Sequence, residues 1–133
     1  MTPIKFIAGL VGIYHITIGI LGTLSGNIAA EIGRMLFQAQ IDVTPQFSYM
    51  AKYLGAYVIA FGTMMLVIAK DPVKYRGLID VAVLLIAIRV LDRIIFASEL
   101  KAAFGIGFTQ SIITISVISI VGLLLLIFKP KAG

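Results

Sequence analysis

Four stretches of this chain, at residues 4–24, 51–68, 78–97 and 110–128, are almost wholly apolar. Each is close to the ~20 residues that an α-helix, rising 1.5 Å per residue, needs to cross about 30 Å of hydrocarbon. The pattern predicts an all-α fold: a four-transmembrane-helix bundle forming one integral membrane domain over residues 1–133. Composition agrees, since 60% of residues are hydrophobic and 13% charged, against about 25% charged in globular domains. With spans and short loops accounted for, no room remains for a separate soluble domain. Lys5 before the first apolar run resembles a secretory signal, but the run is longer than a signal core and no small-x-small site follows it. It is expected to remain as a span.

The connection between the first two spans is too long for a turn. Over residues 27–40, Ile28, Ile32, Met35, Leu36 and Ala39 recur at helical spacing, with Asn27, Glu31, Arg34 and Gln38 on another face. This predicts an amphipathic helix lying in the membrane interface. Basic residues then favour both termini inside. Lys5, Lys70, Lys74, Arg76, Lys129 and Lys131 fall on one side, and only Arg34, Lys52 and Lys101 on the other. The net charge of +5 therefore reads as a topology and lipid-headgroup signal rather than a nucleic-acid footprint. The expected location is a membrane, with the lipid bilayer as first partner.

Within the third span stand Arg89, Asp92 and Arg93. A charge near mid-bilayer costs roughly 3 to 10 kcal/mol, so such residues face a bundle interior, a wet cavity or a partner. At 100° per residue they share one face, and Asp92 is placed to pair with Arg89 at i,i+3. Asp80 points the opposite way and reads as a solvated charge near the helix start. Counting from the terminal ends of the spans puts Tyr14, His15, Tyr57, Arg89 and Ser116 in one layer near the midplane. Asp92, Arg93, Thr114, Ser111, Gln110 and Tyr53 lie farther out. An interior polar from the midplane outward and apolar below it implies a pocket opening outward. Arg89 either fixes helix register through Asp92, captures an anionic or carbonyl-bearing ligand, or contacts another subunit.

The first two apolar spans repeat Gly-x-Tyr followed by glycine, at Gly12-Ile13-Tyr14 with Gly19 and Gly55-Ala56-Tyr57 with Gly62. Glycines seven apart lie nearly on one face and allow close backbone approach. Together with Gly26 they predict a tight helix seam, within the chain or in a homo-oligomer. His15 is the only histidine and there is no cysteine. Haem would require a second copy, thiolate metal sites are excluded for this chain alone, and no metal or cofactor is predicted. No catalytic motif is present either.

Four short spans, the glycine-rich first two, the amphipathic connection and the run Ile88-Arg89-Val90-Leu91-Asp92-Arg93 resemble the small DoxX-like membrane proteins of bacteria and archaea. The likeness covers most of the chain. Some of that group belong to membrane redox systems, including a thiosulfate:quinone oxidoreductase subunit. The resemblance implies a redox-accessory role with a quinone or bound lipid nearby, and Arg89 is the one residue it maps. Without cysteines, thiol-dependent sulfur chemistry would need another subunit. Two functions are therefore expected to compete. One is an accessory or partner-binding subunit of a membrane complex, quinone-linked in the DoxX-like case. The other is a stand-alone binder or carrier of a small anionic or amphiphilic molecule.

Overall fold

The computed structural model describes residues 2–133, which form six helices and no strand. They are α1 (Thr2–Leu24), α2 (Gly26–Phe37), α3 (Pro45–Lys70), α4 (Arg76–Ile95), α5 (Ala97–Phe104) and α6 (Phe108–Ile127). Three of them, α1, α3 and α6, are long and apolar enough to cross a membrane. The 20 residues of α4 match α6 in length, but Arg76, Asp80, Arg89, Asp92 and Arg93 set it apart in charge.

Local chemistry explains the boundaries. Ser25 caps α2, its Oγ accepting from the Ile28 amide at 3.1 Å, so α2 starts one residue after α1 stops. Thr44 caps α3 in the same way through the Phe47 amide at 3.1 Å. Pro45 takes the first helical position, where its missing N–H costs nothing. This start lies six residues before the expected span at 51–68, because the cap outweighs the polarity of residues 45–50. The expected amphipathic helix at 27–40 is α2, and it ends earlier, at a left-handed Gln38.

The most extensive pairing is antiparallel, between α1 and α3. A Cβ built on Gly12 would lie 2.9 Å from the Gly62 carbonyl oxygen, and one on Gly62 2.7 Å from the Gly12 oxygen. Gly19 and Gly55 repeat this at 2.9 and 3.0 Å. Gly26 meets Ser48 one heptad farther on, its Cβ position 2.0 Å from the serine Oγ. Backbones touch at intervals of seven residues, which is the close approach that small residues permit in membranes. The Gly12, Gly19, Gly26, Gly55 and Gly62 contacts are thus internal to one chain.

The second pairing, α4 with α6, runs through Ile86 against Gly122. The two pairs meet at the end that carries both termini. There Ile4, Ala8, Met65, Ile68, Ile79, Ala82, Ile86 and Leu125 form one apolar core. Asp80 is exposed, as expected of a solvated charge, and it also pairs with Lys129 at 2.5 Å, because the end of α6 returns beside the start of α4.

At the opposite, distal end the links are few. The Gln40 amide donates to the Phe104 carbonyl at 2.6 Å, and Gln110 Nε2 donates to the Leu36 carbonyl at 3.2 Å. Gly105, with φ +66°, ends α5 and packs under Gln40. Gly105→Ala is expected to lower stability by about 1–2 kcal/mol, since an alanine in the left-handed region costs about 1 kcal/mol before any crowding. Thermal melts, with proteolysis mapped to residues 97–107, check this.

Candidate functional site

Helical periodicity puts Leu78, Leu85, Arg89, Asp92 and Phe96 along one face of α4. At Leu78 that face packs on the apolar core. Farther along it is uncovered, and Leu85, Arg89, Asp92 and Phe96 are all exposed. The facing side of α3 behaves alike. Ile68 is fully buried and Phe61 packs on the core, whereas Tyr57 is 61% and Leu54 63% exposed, and Met50 is open as well.

Both faces climb from the same turn at residues 71–75, in opposite chain directions. Residues equally distant from the turn stand level: Phe61 with Leu85, Tyr57 with Arg89, Leu54 with Asp92, and Met50 with Phe96. Beyond Phe61 and Leu85 both faces are exposed. A groove of about 290 Å³ lies on the distal part of α4 and on α5, lined by Asp92, Arg93, Phe96, Glu99 and Phe104.

Arg89 stands on the inner side of α4, within electrostatic reach of Tyr14 and His15 on α1. The His15 ring lies edge-on to Phe61, with centroids 4.8 Å apart, and to Tyr14 at 5.2 Å. Its Nδ1 is 2.8 Å from the Val11 carbonyl oxygen. A carbonyl can only accept, so Nδ1 carries the proton and a neutral ring keeps Nε2 as a free acceptor. Tyr14 remains half exposed beside it. Tyr57 bonds the Tyr53 hydroxyl at 3.2 Å, and Tyr49 stacks on Tyr53 beyond. These three tyrosines make a ladder along α3.

Two expected contacts are absent. Arg89 and Asp92 form no ion pair; the two pairs among the described residues are Arg34–Glu31 and Lys129–Asp80. Both residues keep exposed surface, so neither needs the other to escape burial. Ser116 does not join the midplane layer. It lies on the face of α6 away from Gly122, exposed, with its hydroxyl bonded back to the Ile112 carbonyl at 2.8 Å. The buried hydroxyls of α6 are instead Ser111 and Thr114.

Arg93 lies over the Phe37 ring of α2, 5.0 Å from its centroid, and its Nη1 is buried without a hydrogen-bond partner. Cation–π contact offsets part of that loss. Asp92 stands beside two guanidinium groups and Glu99 lines the same groove as Asp92 and Arg93, so the four formal charges cancel. Arginine's planar fork matches carboxylate and phosphate oxygens and keeps its charge in a poor solvent. Among the described residues no group of three or more His, Cys, Asp or Glu side chains could hold a metal ion.

Sequence reasoning missed that Leu54, Met50, Leu85 and Phe96 beside these groups are exposed. No protein-family model, no curated protein and no solved structure matches this chain.

Proposed function

We propose that this protein is a four-transmembrane-helix bundle, with both termini inside, that binds a small anionic or amphiphilic molecule beside Arg89 of α4 and is not an enzyme by itself. The reading of α4 as the fourth span is supported by its length and by the gathering of Arg89 and Asp92 on one face. Charges on one face can avoid lipid while leaving the rest of the helix apolar. One observation carries the functional reading. Arg89, half-way along the bundle, lies within electrostatic reach of Tyr14 and His15 and has no ion-pair partner among the described residues.

Native mass spectrometry of the untagged protein, released from its own membrane in nanodiscs, tests this. A monomer or homo-oligomer carrying one discrete small-molecule mass is expected. Arg89→Ala should lose that mass while melting within a few degrees of the parent. A protein that arrives ligand-free in a fixed complex with a different chain overturns the reading.

A second reading is an accessory subunit of a membrane complex, quinone-linked if the DoxX-like resemblance extends to function. It is favoured by the distal concavity of about 520 Å³ lined by Arg34, Gln40, Asp42, Lys101 and Gly105. That polar surface lies on the α2–α3 connection and α5, apart from Arg89, where a partner's polar segment could seat.

A further inference from the structure

We infer that the end of the bundle carrying both termini is a docking surface for anionic phospholipid head groups, which clamp the α1–α3 hairpin to the α4–α6 pair. This surface lies apart from Arg89 and does not depend on the ligand-binding reading.

The surface follows from where the helices end. Helices α1 and α4 begin, and α3 and α6 finish, around the one core that the two pairs share. Each brings a cation to its rim. Lys5 adjoins Ile4, Lys70 stands two residues past Ile68, Arg76 three before Ile79 and Lys129 four past Leu125, and those four apolar residues are fully buried. Lys74 in the 71–75 turn and Lys131 complete the ring. Two carboxylates stand against these six cations. Asp80 pairs with Lys129, and Asp71 accepts from the Lys74 amide at 3.0 Å. Among the described residues Lys5, Lys70, Lys74, Arg76 and Lys131 have no ion-pair partner, and the four lysines of that set are exposed. The distal end is balanced, with Arg34, Lys52 and Lys101 matched by Glu31, Asp42 and Glu99.

An excess of positive charge around the shared core pushes apart the helices that the core holds together. Salt damps this only beyond a screening length of about 8 Å. Anions held in the plane of the ring relieve it, and a surface of anionic lipid attracts each lysine or arginine close to it. The flanking residues favour a lipid over free phosphate. Phe6 beside Lys5 is 70% exposed and Val73 beside Lys74 is 54% exposed, so apolar surface for acyl chains adjoins the charges. Lys74 is itself steadied by the Tyr75 ring, with its Nζ 5.2 Å from the centroid.

The experiment compares full-length protein in nanodiscs of phosphatidylcholine alone and with rising fractions of phosphatidylglycerol, which changes the net charge of the head group and not the acyl chains. A saturable rise in melting temperature is expected with phosphatidylglycerol, lost at high salt, and native mass spectrometry is expected to show phosphatidylglycerol retained over phosphatidylcholine. Lys70→Gln combined with Lys74→Gln is expected to weaken half-saturation more than tenfold, at about fivefold for each cation. In phosphatidylcholine alone the same variant is expected to melt no lower than the parent, since there the two charges only repel their neighbours. Lys52→Gln combined with Lys101→Gln, at the distal end, is expected to keep the full rise.

Equal melting in the two lipids at every fraction overturns the inference. An equal loss of the rise in the distal variant overturns it too, because net charge and not this ring would then attract the lipid. If inorganic phosphate added to phosphatidylcholine nanodiscs raises the melt as far as phosphatidylglycerol does, the ring holds free anions and the lipid assignment falls.

Discussion

Gly19→Ala is expected to destabilise the bundle by about 1–3 kcal/mol, whereas Gly22→Ala on the same helix is expected to raise stability by up to ~1 kcal/mol. At Gly19 a Cβ would lie 2.6 Å from Ile59 Cγ1 and 2.9 Å from the Gly55 carbonyl oxygen. The oxygen is backbone and cannot swing aside, so α1 and α3 have to separate. Separation at one heptad also loosens Gly12 against Gly62, because both contacts belong to a single antiparallel register. At Gly22 a Cβ meets nothing within 4 Å, although the glycine itself is buried. There alanine keeps the backbone fit and removes freedom from the unfolded chain. Thermal melts of both variants in the same nanodisc decide the matter, and equal shifts would mean that the seam does not hold the bundle together.

The second large effect separates two residues on one face of α3. Ile68→Ala is expected to cost about 2 kcal/mol and Leu54→Ala less than about 0.5 kcal/mol. In lipid, removing methyl groups loses no water-transfer energy between helices, so the cost is the cavity left behind. A hole of ~80 Å³ at ~24 cal/mol per Å³ gives that figure for fully buried Ile68. Leu54 is 63% exposed, so its truncation leaves no sealed hole. Reversible unfolding in mixed micelles measures both. A similar loss at the two positions would show that the Leu54 face is packed in the membrane.

The three most apolar spans were legible because twenty apolar residues admit few other structures, and the amphipathic α2 because its 3.6-residue period is strong. Helix α3 starts ahead of the expected span at 51–68 because capping by Thr44 depends on backbone geometry, while hydropathy registers only the polar residues around it. The expected third span ran two residues past the end of α4 at Ile95, to the first residue of the separate helix α5. Gly105 after Phe104 marked that helix's end, but eight residues with little apolar periodicity gave no reason to start one. Arg89 was legible as the residue to explain, since charge in an apolar run is costly wherever it points. Its surroundings were not, because whether α3 and α4 touch at Tyr57 depends on how two rigid helix pairs are tied at their ends. The Arg89–Asp92 pairing failed for the same reason: spacing permits an ion pair, and only burial would enforce it.

The heptad of glycines between α1 and α3 also bears on the order in which the molecule is built. As α1 leaves the ribosome it carries a bare backbone strip at Gly12 and Gly19 with no mate, and α2 and its connection must follow before the matching strip at Gly55 and Gly62 exists. Once Lys70 has been made, the most extensive helix contact of the whole protein can close, with neither α4 nor α6 yet synthesised. The later pair docks against a finished hairpin and gains a shared core only near the termini. Nascent chains halted after Lys70 should therefore already resist protease across α1 and α3, and the charged α4 enters the membrane beside a surface prepared to receive it.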